Sequence, residues 1–377
     1  MRTKPLLWAE IDLGRLKNNL RLIRANLRPR RSEVLAVVKA DAYGHGMKAV
    51  ARLLAGQGVR FFGVATIEEA LELRQVCRRQ RILVLGSFHS SQVPLFIRHK
   101  ITPTISSVSD AALFESALDN TRAPFSVHIK IDTGMGRLGV WHQDAEEFFR
   151  SLKKFSRLHI EGVYTHFSSA DGRNKRATRA QIKIFNGCVR RLTQMGFAPR
   201  YLHAANSMGL VRFKEAHFNL ARPGIILYGI DPSGRDKTLR ALKPVMSLKT
   251  RVAFLKPVSK GRTISYGATY RTTGGTRIAT LPVGYSHGYR VAFSNRAQVL
   301  IRGRRFPVVG RVTMDQTLVD VGSRTPVRRW DEVTLLGRDG KQVVSASELA
   351  AMIGTIPYEI VCSVHSRIPR VYKGLHS

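Results

Sequence analysis

The chain has little that would tie it to a membrane, a disulfide scaffold or a metal cluster. No apolar run reaches the ~20 residues that span a bilayer. In the opening MRTKPLLWAEIDL, Glu10 and Asp12 interrupt what would otherwise be a signal-peptide core. A cytoplasmic protein is expected. Cysteine is scarce: Cys77, Cys188 and Cys362 are odd in number, far apart and without metal-ligand spacing. That excludes a disulfide framework, argues against a structural zinc site and fits a reducing compartment. No GxGxxG follows the first strand candidate, which sets aside a dinucleotide-binding open sheet as the structural alternative. Acid is the other shortage, with 26 Asp and Glu against 62 Lys and Arg and a net charge of +36. The excess is not a tail. Residues 251–300 carry Arg251, Lys256, Lys260, Arg262, Arg271, Arg277, Arg290 and Arg296 and no acid, whereas residues 101–150 are acid-rich. Such a charge predicts salt-dependent adhesion to polyanions. No aromatic-plus-basic recognition motif accompanies it, so contact with nucleic acid is expected to be non-specific only.

What is present is enough apolar residue for large cores, 44% of 377 residues, and a length that suits two domains. Leu13, Leu16, Leu20, Ile23 and Leu27 recur at helical spacing. Eight short apolar runs then alternate with helical stretches: 34–38, 61–65, 82–85, 101–105, 125–131, 160–165, 201–205 and 218–221. This alternation predicts an α/β fold, an N-terminal (β/α)8 TIM-type barrel over residues 9–240. The run at 101–105 contains Pro103 and is the least strand-like. DPSGRDK, residues 231–237, reads as a turn-rich linker. Beyond it, β-type runs punctuated by Gly and Pro (245–254, 276–283, 297–301, 306–312, 317–321 and 332–336) predict a C-terminal all-β domain over 241–377. Residues 1–8 are free to pair with it.

The chemistry centres on VLAVVKADAYGHG, residues 34–46. A buried strand ends at Lys39, where ligands bind in parallel α/β folds. A desolvated lysine there has a usable amine for a Schiff base with a carbonyl cofactor. Tyr43, Gly44, His45 and Gly46 are expected to form a tight polar turn. HIKIDTGMGRLG ends the fifth strand and brings Lys130, Asp132 and Arg137 to the barrel mouth. THFSSAD places His166 after the sixth strand, and HAANSMG places Asn206 and Ser207 after the seventh. Ser207 suits a helix N-cap or a phosphate contact. In ARPGI, Pro223 at a first helical position sets up free N–H groups on Gly224 and Ile225 that suit phosphate, with Arg222 just before them. SYGATY carries Tyr266, GRVTMDQ carries Met314, and IPYE carries Tyr358.

Taken together, and in this order, these motifs resemble the alanine racemases, fold-type III pyridoxal-phosphate enzymes, over essentially the whole chain. The resemblance implies that Lys39 holds pyridoxal 5'-phosphate and serves as one catalytic base. Tyr266, reaching in from the other subunit of a homodimer with shared active sites, is implied to be the second. Tyr43, Asn206, Ser207, Gly224, Ile225 and Tyr358 are implied to contact the cofactor. Arg137 is implied to reach the cofactor's phenolic oxygen and the substrate carboxylate, with Lys130, as a carbamate, orienting it. His166 is implied to stack near the pyridine ring and to link Arg222 to the tyrosine, and Arg222 to face the pyridine nitrogen. The Met314 backbone is implied to take the substrate carboxylate across the dimer. The implied activity interconverts L- and D-alanine, supplying D-alanine for peptidoglycan, with no metal. Two departures stand out: Ser286 and His287 replace a common Ala-Asp, and Thr313 replaces a frequent cysteine. The alternatives are a racemase that also takes serine, a decarboxylase on a similar barrel, and a non-catalytic basic protein that binds cofactor or nucleic acid.

Overall fold

Short β-branched runs bounded by polar turns set the barrel. The computed structural model describes residues 5–29, 31–118, 124–234 and 236–374. It divides into two units. One comprises Asn19–Ala42 and Met47–Leu227; the other comprises Tyr43–Gly46 and the described parts of Met1–Asn18 and Tyr228–Ser377.

In the first unit a ring of parallel strands follows chain order: Glu33–Val37, Phe61–Val64, Arg81–Val84, Thr104–Ile105, Phe125–Asp132, Leu158–Tyr164, Tyr201–His203 and Leu220–Ala221. Neighbours are in parallel register, for example Leu35↔Phe61, Thr104↔His128 and Tyr164↔His203. Two joins complete the ring. Leu83 bridges Thr102, and the Arg222 N–H donates to the Ala205 carbonyl at 2.9 Å. The eighth strand then pairs with the first, Ala221↔Val34. The fold is therefore the expected closed (β/α)8 barrel. Its fourth strand shrinks to two residues, because Pro103 lacks the N–H that a longer ladder would need.

Helices alternate with these strands for local reasons. Thr66 caps Ile67–Arg74 by accepting from the Glu69 N–H, and Ser107 caps Val108–Ala117 the same way from Asp110. Arg176–Gln194 buries Ile182, Phe185, Cys188 and Leu192, one stripe of a 3.6-residue period. Inside the ring, Phe61 packs edge-on against His128 and Tyr201, both at 5.5 Å. A buried histidine fits there because residue 162 is glycine. A Cβ at Gly162 would strike the His128 ring.

The second unit is mostly antiparallel sheet. Its largest sheet orders the strands Arg304–Pro307, Gln298–Ile301, Glu332–Asp339, Met246–Arg251, Leu7–Asp12 and Arg370–Lys373, with Gln342–Val344 beside Glu332–Asp339. Leu7–Asp12 lies antiparallel to Met246–Arg251 and parallel to Arg370–Lys373. A smaller sheet joins Phe254–Val258, Thr276–Leu281 and Thr317–Asp320. Ile264, Ile278 and Val309 form a core cluster against which Val258, Tyr270 and Leu318 pack.

Candidate active site

The carboxyl ends of the barrel strands gather the candidate residues of the first unit. Lys39, half-buried, follows Val38, whose N–H donates to the Gly63 carbonyl at 2.9 Å. The expected turn at residues 43–46 begins earlier and is left-handed. Ala40, Asp41, Ala42 and Tyr43 all have positive φ, between 52° and 55°. Four successive L-residues in a left-handed turn cost about 4–8 kcal/mol. Side-chain acceptors hold it. Glu69 takes the Ala40 N–H through Oε1 and the Ala65 N–H through Oε2, both at 2.7 Å, and Asp41 takes the Met47 N–H at 2.7 Å. Neither Glu69 nor Asp41 stood out as a site residue. The Thr66-x-x-Glu69 spacing was the available signal for the first. Nor is the stretch a polar turn, since His45 is fully buried.

Arg222, 3% exposed, donates to the carbonyls of Thr165 at 2.7 Å and Ala204 at 3.1 Å, to His203 Nδ1 at 2.9 Å and to His166 Nδ1 at 3.3 Å. An arginine has no acceptor, so both histidines accept at Nδ1. His203 Nε2 then carries the hydrogen and donates to His128 Nδ1 at 2.9 Å. His128 Nε2 lies 3.8 Å from Glu161, which pairs with Arg81 at 3.0 Å. This line of neutral histidines through the barrel core was not foreseen. Burial, then the Arg222 charge, holds His203 and His166 well below the usual imidazole pKa. Burial brings Arg222 itself down to about 10, so it remains charged near neutrality.

Lys130, 4% exposed, is brought down from 10.5 to about 8, mainly by burial and then by the charges of Arg137 and Arg222. Lys39 acts on both Lys130 and His166, so Lys39, Lys130, Arg137, Arg222 and His166 share one electrostatic neighbourhood. Asp132 shapes the turn after Lys130, accepting the N–H groups of Gly134, Met135 and Arg137 at 2.8–3.0 Å. Three expectations change. Asn206, not Ser207, caps the helix Ser207–Arg212, accepting the Gly209 N–H at 2.9 Å. The Gly224 N–H is not free, because it donates to Ser207 Oγ at 3.0 Å. Ile225 starts a 3₁₀ turn, Ile225–Tyr228, rather than an α-helix.

In the second unit, Tyr43 lies 5.1 Å from Tyr228 and 6.1 Å from Tyr358. Arg370 donates twice to the Gly44 carbonyl, at 3.1 and 3.0 Å. Tyr266 is 71% exposed and Met314 55%. Their loops are joined: Ser265 Oγ donates to the Arg311 carbonyl at 2.6 Å, and a Cβ at Gly310 (φ 72°) would lie 2.7 Å from the Ile264 carbonyl. The departures are structural here. Ser286 donates to Asp315 at 2.9 Å, and Thr313 closes the Met314 turn by donating to the Gln316 carbonyl at 2.9 Å. No candidate metal cluster occurs among the described residues.

The family description "Alanine racemase, N-terminal domain" matches residues 11–232, and "Alanine racemase, C-terminal domain" matches residues 245–372. This chain belongs to the alanine racemase family. An alanine racemase of Carboxydothermus hydrogenoformans is 41% identical over 367 residues, 97% of this chain and 99% of that one. The alanine racemase of Bacillus anthracis with bound L-Ala-P superposes with TM-score 0.90 at 35% identity, covering 99% of this chain and 96% of that one. That of Bartonella henselae, with covalently bound pyridoxal phosphate, gives 0.89 at 28% identity over 98% and 100%.

Proposed function

We propose that this chain is a pyridoxal 5'-phosphate-dependent alanine racemase, interconverting L- and D-alanine by two-base proton transfer. The observation that carries the reading is the crowd of cations at the barrel mouth, Lys39, Lys130, Arg137 and Arg222, whose charges add to burial in lowering the pKa of both Lys130 and His166. A phosphate-bearing cofactor and a substrate carboxylate are the ligands that relieve such repulsion. The covalent cofactor of the Bartonella henselae protein and the alanine analogue in the Bacillus anthracis protein support the choice.

Lys39 would hold the cofactor, with Ser207, Asn206, Gly224, Ile225, Tyr43 and Tyr358 around the phosphate. Bound pyridoxal phosphate supplies the electron sink that lets an attached amino acid lose its α-proton. Arg222, fixed by four acceptors and cationic, would keep a ring nitrogen facing it unprotonated, which a carboxylate in its place would not do. That disfavours decarboxylase chemistry. With the substrate held there, Lys39 would offer its amine to one face of the α-carbon. Tyr266 of a second copy is the base on the other face. Its exposure on a turn tied to Arg311 supports a role in trans, as does the exposure of Met314, whose N–H would take the substrate carboxylate with Arg137. Lys130, with its amine near neutrality, is suited to carbamylation, which would give Arg137 an orienting carboxylate. Tyr358 and Met314 narrow the side-chain pocket to a small residue. Serine differs from alanine by one hydroxyl, and such differences discriminate weakly.

D-alanine for peptidoglycan, made in the cytoplasm, is the proposed purpose. The test is direct: incubate the protein with L-alanine and pyridoxal phosphate and resolve the product on a chiral column. Equal amounts of both enantiomers are expected. Unchanged L-alanine, or release of ethylamine, would overturn the reading.

A further inference from the structure

The amino ends of the barrel strands carry a second concentration of charge. A cavity of about 950 Å³ opens there, at the start of Arg81–Val84 and Phe125–Asp132. This is the end of the barrel opposite to Lys39 and Arg222. Arg78, Arg79, Arg98 and Lys100 line it, and Ile97, Leu118 and Phe125 supply apolar surface. Among the described residues, none of those four cationic side chains makes an ion pair or hydrogen bond, and all four are exposed. Among the described residues the one acid in the lining, Glu161, is already paired with Arg81 at 3.0 Å.

Unpaired surface cations are usually just solvated, and alone these would be too. The frame beneath them argues otherwise. The Arg74 guanidinium donates to the carbonyls of Cys77 at 2.8 Å and Gln80 at 2.7 Å on one loop. It also donates to those of His99 at 3.2 Å and Lys100 at 2.9 Å on the other. Burial lowers its pKa, yet arginine stays charged. One half-buried cation thus ties together the two loops that carry the four free ones. Holding like charges close is unfavourable unless an anion joins them. Arginine forks match phosphate oxygens, and the volume suits a small ligand rather than a duplex.

We propose that this cavity binds a multiply phosphorylated anion, with its phosphates between the Arg78–Arg79 and Arg98–Lys100 loops. The site does not depend on the reading of the active site. The test is calorimetric titration of magnesium-free ATP, and separately of inorganic triphosphate, into the holoenzyme at 0.15 M KCl. One saturable site per chain is expected. The double variant Arg78→Glu/Arg79→Glu weakens it at least tenfold, and the milder Arg98→Gln/Lys100→Gln several-fold. Lys256→Glu/Lys260→Glu, of the same charge change elsewhere in the chain, stays within twofold. Tighter binding of ATP than of triphosphate assigns the apolar surface to a nucleoside. Equal binding assigns the site to phosphates alone, and either result supports the proposal. Absence of saturable binding, or equal weakening by the two charge-reversing variants, overturns it.

Discussion

Replacing Ala40 by glycine tests whether the Lys39 turn stores strain. Ala40 is exposed, has φ 52°, and its main contact is its own N–H to Glu69, which glycine retains. Removing the Cβ relieves about 1–2 kcal/mol of left-handed strain. Glycine's extra freedom in the unfolded chain takes back about 0.4–1 kcal/mol. The net expectation is stabilisation by about 0.5–1 kcal/mol. An ordinary right-handed turn gives the opposite sign, because alanine to glycine then costs about 0.8–1.0 kcal/mol. Sign, not size, is therefore decisive. Thermal unfolding reads it, since 1 kcal/mol moves Tm by roughly 2–4 °C in a domain of this size. Lys39 adjoins the relaxed residue, so racemisation should slow as Tm rises, a trade of stability against a held amine. A lower Tm for Ala40→Gly would refute the strain argument.

Three further outcomes are expected. Lys130, at about 8 folded and 10.5 unfolded, leaves the proton only on the unfolded chain between those values. Stability should thus rise with pH across that window, by up to about 3 kcal/mol, then level off above it. In bicarbonate-free buffer Lys130→Met should lose this slope, and an unchanged slope would clear Lys130 of any part in it. Tyr266→Phe should slow α-proton exchange from one enantiomer far more than from the other, measured by deuterium incorporation; equal mild losses would count against two opposed bases. Mixing inactive Lys39→Ala and Tyr266→Phe proteins should restore activity through hybrid dimers, and no recovery despite demonstrated subunit exchange would argue against sites shared between chains.

The barrel was legible because its strands are buried runs separated by capped helices, a pattern that each segment carries by itself. Thr104–Ile105 was legible only in outline, since Pro103 removes a donor and leaves a bridge at Thr102 to close the ring. Lys39 and Arg222 were legible by position after a strand and before a Pro-Gly. The hand of the turn after Lys39 was not. Ala-Asp-Ala-Tyr has no residue that favours positive φ strongly, and the acceptor that enforces it, Glu69, lies 29 positions away. The histidine line was hidden for the same reason. His128 and His203 are 75 residues apart, and only strand pairing brings them to 2.9 Å. At residues 206 and 207 both side chains can cap a helix, so the choice fell to backbone geometry that neither residue announces.

Leu7–Asp12 is made before both of its neighbours in the sheet. Its neighbours in the sheet, Met246–Arg251 and Arg370–Lys373, leave the ribosome only after some two-thirds of the chain and nearly all of it. The strand ladders that form the ring lie between residues already synthesised by then, so the ring can close during translation. The other sheet cannot. Its opening strand gains one neighbour at two-thirds and the other only when Arg370–Lys373 emerges, so a nascent chain stalled short of Arg370 would keep one edge of that strand bare.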